Sequence, residues 1–375
     1  MTSPLTLPTL WGHLLGWADL PTPPRSTEMK VLVIGGTGLI STAIVDQLVA
    51  RGDEVTVFNR GRTPRRIPSG VPVIRGDRWD YPAFEAEMSR HRFDAVIDMV
   101  AFAPENAGSL LRAFAGRARH LVVCSTVCVY GGPLTRLPAT DDEPHRPITR
   151  YGRDKSAIES ALLAANGEDG LHTTVLRPSF TTGEGHAALG AYIFDDSTAD
   201  RIRKGLPLIV PDGGNAAWAI AHVSDVARAF VNALGNERAY GRAYHVTSDE
   251  HTTWTGVFRA LEEAVSGSRG SRHVAIPTDW LYRVAPRRSV GVRFIYQYPS
   301  IFDNTAAARD LGFRTTVPLV ETFRRQLSWI EANGTATPAE DEPYQDVLID
   351  AYERGALPDP ARVHDFNPWG NGTES

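Results

Sequence analysis

Cysteine is nearly absent, with two residues in a chain of 375. That excludes a disulfide framework and a multi-cysteine metal cluster, and it predicts a reducing compartment. No apolar run approaches the roughly 18 residues of a membrane span, so none is expected. Basic charge is not in excess either. The formal net charge is -5, whereas a nucleic-acid partner leaves a basic footprint. The first residues lack a basic n-region and a small-residue cleavage site, so they do not read as a signal peptide. What remains is a cytoplasmic protein of ordinary globular composition, 42% hydrophobic and 22% charged, with no resident metal expected.

Proline and glycine are plentiful, at 26 and 33 residues. Five prolines fall in residues 1–28 and five in residues 336–375. The first segment reads as a Pro-rich leader, either disordered or an arm docking through Trp11 and Trp17. The last segment is acidic. From Glu340 onward it carries nine acids against two arginines, a net of -7 that leaves +2 for the rest of the chain. It reads as an appendage, partly disordered or wrapped on the surface, with a short helix in YQDVLIDAYER.

Between the two ends, KVLVIG is an apolar run ending in glycine, as a buried parallel strand should be. Ile40, Ile44 and Leu48 follow at helical spacing, Gly52 stops the helix, and EVTVFN is the next strand. Further strands are expected at 71–76, 93–100, 120–125 and 172–178. Alternating strands and helices predict an α/β, Rossmann-type doubly wound parallel sheet with a smaller C-terminal α/β lobe. Between the first strand and helix lies Gly35-Gly36-Thr37-Gly38-Leu39-Ile40-Ser41. Glycines there permit a tight turn and close backbone approach to a pyrophosphate at the helix N-terminus. The third glycine of the usual spacing is Ser41, small enough to keep helix and strand close. NAD-binding folds usually end the second strand in an acid that holds the ribose hydroxyls. Here the residues are Asn59, Arg60, Gly61 and Arg62. The two arginines suit a 2′-phosphate and favour NADP over NAD. Asp77 is positioned to accept from the adenine amine.

Thr126 follows the strand HLVVCS, and Tyr151 and Lys155 lie four apart on one helix face. An ammonium near a phenol lowers its pKa, so the phenol can pass a proton to or from a carbinol oxygen while hydride moves. Thr126 would hold the same oxygen, and Lys155 would reach the nicotinamide ribose.

In this order, VLVIGGTGLIS, RGD, VVCSTVCVYGG, YGRDKSAIE, VLRPSF and IAHVSDVARAFVNAL resemble the extended short-chain dehydrogenase/reductases of the nucleotide-sugar epimerase and dehydratase group, over about residues 29–333. The resemblance implies a cofactor domain from 29–180 plus 219–247, and a substrate lobe from 181–218 plus 248–335. It also implies a homodimer, and further cofactor contacts at Val100, Ala101, Ser125 and Pro178. Dehydratases of the group carry Asp-Glu after the catalytic Thr. Val127-Cys128 stands there, which disfavours water elimination. In related epimerases a cysteine at the Cys128 position removes a proton beside a keto group, though a free cysteine also commonly fills space. His186, His145 and Glu184 are candidates for the opposite acid/base. His222 and Asp225 are expected to be structural, one tying the lobes and one capping a helix. Trp218 stands near where relatives carry a base for a sugar-nucleotide phosphate. Arg203, with Arg201 and Lys204, is the candidate replacement. The expectation is an NAD(P)-dependent epimerase of a sugar, nucleotide sugar or nucleoside, acting through a keto intermediate. The alternative is net NADPH-dependent reduction of a sugar-like carbonyl. A third class, non-catalytic dinucleotide binding as in chloroplast RNA-binding relatives, fits the GGTG…FNRGR pattern but not the intact Thr126, Tyr151 and Lys155.

Overall fold

A computed structural model describes residues 28–63, 67–185, 197–267 and 270–363. The expected leader, His186 and the last residues of the acidic segment lie outside them. The first half of the chain alternates as the hydrophobic pattern predicts. It runs β1 (Lys30–Ile34), α1 (Leu39–Arg51), β2 (Glu54–Asn59), β3 (Val73–Arg75), α2 (Tyr81–Met88), β4 (Ala95–Asp98), α3 (Glu105–Phe114), β5 (His120–Cys124), α4 (Arg150–Ala164) and β6 (His172–Pro178). Then come β7 (Phe180–Thr182), α5 (Thr198–Arg203), β8 (Leu208–Pro211), β9 (Ala217–His222), α6 (Val223–Ala233) and β10 (Arg242–Val246). The chain continues through β11 (His251–Thr253), α7 (Trp254–Ser266), β12 (His273–Ile276), α8 (Thr278–Val284), α9 (Thr305–Leu311), α10 (Leu319–Asn333) and α11 (Tyr344–Glu353).

Seven strands form one sheet in the order β10-β6-β5-β4-β1-β2-β3. Every pairing in it is parallel. Strand order reverses between β1 and β4, so a crevice opens at their carboxyl ends, the usual ligand position in such sheets. The central strands are buried on both faces, which is why they read as continuous apolar runs. Gly52 ends α1 in the left-handed conformation, at φ 90°.

After β6 the chain leaves this sheet. β9 joins β7 and β11 in a second sheet, and β8 pairs with β12 in a third. The chain then returns, through α6 against α1 and β10 against β6. Two segments differ from expectation. The resemblance assigns residues 305–313 to the substrate lobe. Ala307, Leu311 and Phe313 instead bury themselves with Val226, Phe230 and Val246 on the cofactor side, because α9 packs on β10 and α6. As far as Val363, the acidic segment is no loose appendage either. Tyr344, Leu348 and Ile349 of α11 are core residues of the second lobe, packed with Trp254, Phe258 and Ile276. Among the described residues no helix is long and apolar enough to cross a membrane.

Candidate functional site

The loop after β1 is shaped by backbone demands. Gly36 has φ 76°, and a Cβ on it would meet Val57 Cγ1 at 2.5 Å, so only glycine fits against β2. Ser41 stands in for the third glycine and closes the loop, its hydroxyl accepting from Gly38 N–H at 2.9 Å. The amides of the first turn of α1, at Leu39 and Ile40, have no intrahelical partner and can serve an anion.

At the end of β2, Asn59 spends its amide on the backbone. It donates to the Gly35 carbonyl at 3.3 Å and accepts from Gly61 N–H at 2.8 Å. Arg60 and Arg62 are exposed beside it. Strand register brings in a third cation. Arg75 of β3 pairs with Asn59, and its guanidinium lies 3.3 Å from the position of a Cβ on Gly61. Asp77 is exposed and accepts from Trp79 N–H at 3.0 Å. At the end of β4 the buried Asp98 accepts from Val100 N–H at 2.7 Å. Ala101 is fully buried, and Phe102 is 44% exposed.

The reactive group sits at the end of β5. Thr126 is buried, and its hydroxyl accepts from Cys128 N–H at 3.1 Å and is near enough to the Tyr151 phenol to oppose the rise of its pKa. Tyr151 is brought in by an unusually close helix approach. A Cβ on Gly152 would meet the Cys128 carbonyl oxygen at 2.4 Å. Thr149 caps this end of α4, accepting from Gly152 N–H at 3.1 Å. Lys155, one turn on, is 1% exposed and donates to the Cys124 carbonyl at 2.7 Å. Its ammonium lies 4.5 Å from the Phe102 ring centre and 5.9 Å from that of Tyr151.

The expectation that Lys155 depresses the Tyr151 pKa is not met. Burial pushes the phenol well above its ordinary value of 10, and Lys155 is not among the groups acting on it. Burial likewise pulls the Lys155 ammonium below its usual range, opposed by Cys124, Asp98 and Glu159. Tyr151 is therefore a neutral phenol at pH 7, suited to giving a proton. Cys128 shows the same effect. Burial raises its thiol pKa against a hydrogen bond with Thr126, so it stays protonated.

A shallow cleft opens beside these groups, lined by Val127, Cys128, Thr149, Phe294, Ser300 and Phe302. Trp218 adds an edge to it. The indole is only 2% exposed, is packed on Trp254 and Tyr296, and donates to the Tyr298 carbonyl. Arg203 is not brought to the cleft. It pairs with Glu331, while Arg201 pairs with Asp346 at 2.7 Å and Lys204 with Glu340 at 2.6 Å. Arg201 and Lys204 fasten the acidic segment instead. Among the other candidates, His145 bonds Ser156 and Arg177, and Glu184 bonds His222. His222 caps α6, accepting from Ser224 N–H. Asp225 is the tie, accepting from Thr316 and Val317 N–H at 2.7 and 3.2 Å. Ser125 is buried against Glu159, and Pro178 ends β6.

Sequence reasoning missed Arg75, Phe102 and Glu159. Arg75 becomes visible only through strand register, and Phe102 only through loop geometry. Glu159 left a signal, since it continues the Tyr151 and Lys155 spacing by four more residues.

Comparison with known proteins agrees with this fold. The model of the NAD dependent epimerase/dehydratase family matches residues 31–247. The chain is 30% identical over 257 residues to a 2′-dehydrokanamycin reductase of Streptomyces kanamyceticus, covering 68% of this chain and 72% of that protein. It is 29% identical over 252 residues to a chloroplast stem-loop binding protein of 41 kDa from Arabidopsis thaliana, covering 64% of each. The fold resembles that of a UDP-glucose 4-epimerase from Thermotoga maritima. That match has a TM-score of 0.67 and 22% identity, and covers 81% of this chain and 99% of that one. The chain belongs to the NAD-dependent epimerase/dehydratase family and is an NAD(P)-dependent enzyme of the extended short-chain dehydrogenase/reductase type.

Proposed function

We propose that this enzyme is an NADP(H)-dependent reductase of a ketone on a free, sugar-like ring. The observation that carries the reading is the set of three arginines, Arg60 and Arg62 after β2 and Arg75 at the neighbouring end of β3. The acid that would hold ribose hydroxyls is missing there, and Asn59 is occupied with the backbone. A guanidinium cluster suits a 2′-phosphate, which charge-assisted bonds would hold. When bound, the reduced dinucleotide supplies hydride. The chain's own residues do the rest. Thr126 and Tyr151 share the carbonyl oxygen, Tyr151 gives it a proton, and Lys155 anchors the ribose end. A phenol held neutral by burial is already in the proton-donating form that reduction needs.

Two further observations support this reading over epimerisation of a nucleotide sugar. The expected phosphate ligands on α5 are ion-paired with the protein's own carboxylates, and the cleft walls described are uncharged. Cys128, protonated by burial, is poorly suited as a carbon base. The direction also agrees with the reductase in the name of the 30% identical relative.

The test is steady-state kinetics with NADPH and NADH on keto-sugar and keto-aminocyclitol substrates. Net consumption of NADPH is expected. Replacing Arg60, Arg62 and Arg75 by alanine should lower the NADPH preference by roughly ten- to a hundredfold for each guanidinium that bonds the 2′-phosphate, since a bond to a charged group contributes about 1.5–3 kcal/mol. Turnover with tightly retained NAD and no net absorbance change would return the epimerase reading.

A further inference from the structure

Behind the Tyr151/Lys155 face of α4 lies a buried polar chain that the proposed reaction does not use. Glu159 continues that face and is 1% exposed. Its carboxylate accepts from the Arg177 guanidinium at 2.9 and 2.6 Å and from the Ser125 hydroxyl, the residue before Thr126. Arg177 of β6, itself 3% exposed, donates on to the Tyr130 hydroxyl at 2.6 Å. Tyr130 bonds His245 Nε2 of β10 at 2.6 Å, and its ring stacks on Phe302 in the cleft wall. One chain of hydrogen bonds and ring contact thus joins the helix carrying Tyr151 and Lys155, the strand end carrying Thr126, and the wall facing the substrate.

We propose that Glu159, clamped by Arg177 and Ser125, is a positioning residue that fixes the rotation of α4 and keeps Lys155 an ammonium inside a dry site. Cys124 and Asp98 also oppose the loss of the Lys155 proton, and Glu159, which lies 3.7 Å from His145 Nε2, adds to them. Asp98 of β4 faces it but is bound to Arg78 at 3.4 Å. Cys124 of β5 offers its carbonyl, while its thiol is pushed up to about 11 and stays neutral. Tyr151 on the same helix is neutral, and Phe102 supplies only a ring face. Burial drives a lone ammonium toward losing its proton, and a carboxylate on the adjacent turn opposes that loss. A buried Glu–Arg pair is weak evidence for stability alone. Its continuity with three parts of the site is what assigns it a role there.

The inference rests on the Tyr151/Lys155 assignment, and its deciding measurement needs neither substrate nor cofactor. The chain contains three lysines, Lys30, Lys155 and Lys204. Lysine-selective isotope labelling therefore gives a three-signal spectrum in which Lys155 can be titrated directly. In Glu159→Gln the Lys155 midpoint should fall to lower pH while Lys30 and Lys204 do not move. Glu159→Asp should restore most of the shift. The alkaline limb of the kcat/KM profile should move down in parallel. If Glu159→Gln does not fold, Glu159→Asp serves instead, since it keeps the charge but withdraws it by one methylene, and a smaller fall of the same midpoint is expected. An unchanged Lys155 midpoint in a folded variant overturns the proposal and leaves the pair a purely structural one. Absence of net NADPH oxidation by the wild type would count against the reductase reading alone.

Discussion

At the scale of single residues, two side chains separate the chemical alternatives. Tyr151 is the proton donor of the proposed reaction, and Cys128 is the titratable side chain in the lining of the neighbouring cleft. Tyr151→Phe keeps the ring and the packing but removes the proton. Turnover should fall by roughly 10²–10⁴-fold, the usual contribution of a positioned acid, while dinucleotide binding by fluorescence titration is retained. Cys128 gives the opposite expectation. Its thiol is neutral through burial, so Cys128→Ser should leave turnover within about threefold of wild type. Product formed in deuterated water should carry no label on the carbon next to the reacting one. Loss of activity together with such labelling would restore Cys128 as a carbon base.

At the scale of elements, closeness of approach decides where side chains arrive. Gly152 lets α4 touch the Cys128 carbonyl, which sets Tyr151 beside Thr126. Gly152→Ala forces the helix and that carbonyl apart, and a displacement of about 1 Å at a reacting group can cost around 100-fold in rate. We expect such a loss in kcat with a much smaller change in KM, measured by steady-state kinetics. The acidic segment makes a similar point for stability. Tyr344 is fully buried in the second lobe, under the Arg288 guanidinium at 3.6 Å. Tyr344→Ala should cost about 3–5 kcal/mol in chemical denaturation, as other large-to-small core changes do. These elements also mark how much was legible in advance. The parallel sheet, the glycine loop and the Tyr-Lys helix follow from periodicity and local spacing, which the sequence displays directly. Arg75 beside Arg60, and Arg201 beside Asp346, depend on strand register and on bonding between residues 145 positions apart. Charge alone could not say that the cations of α5 meet the protein's own carboxylates rather than a ligand's phosphate.

At the scale of the whole molecule, two buried histidines make the fold sensitive to acid. His120 and His245 are both fully buried, and burial is the main cause pulling them down from 6.5, to about 3 and about 4. Their partners explain why neither accepts a second proton. His120 Nδ1 accepts from Gly235 N–H at 3.1 Å, while Nε2 faces the Thr174 hydroxyl at 2.8 Å. His245 Nδ1 faces the Asp303 carbonyl at 3.2 Å, which leaves Nε2 to accept from the Tyr130 hydroxyl. A second proton would turn an acceptor nitrogen into a donor aimed at another donor. In the unfolded chain both rings protonate near pH 6.5, whereas the folded chain resists until about pH 4 for His245 and about pH 3 for His120. The unfolded state therefore binds more protons below pH 6.5. The stability these rings contribute is fully present above that value and is lost as pH falls. Each histidine costs at most about 1.4 kcal/mol per pH unit in this window, so the pair should lower unfolding free energy by about 2–3 kcal/mol per unit between about pH 6 and 5, and by less as His245 protonates near pH 4. Denaturant titrations at pH 7, 6 and 5 check this, with a steepening slope below pH 6.5 as the expected result. His120→Gln should remove close to half of that slope, and stability independent of pH across the window would mean that the rings are not held neutral in the fold.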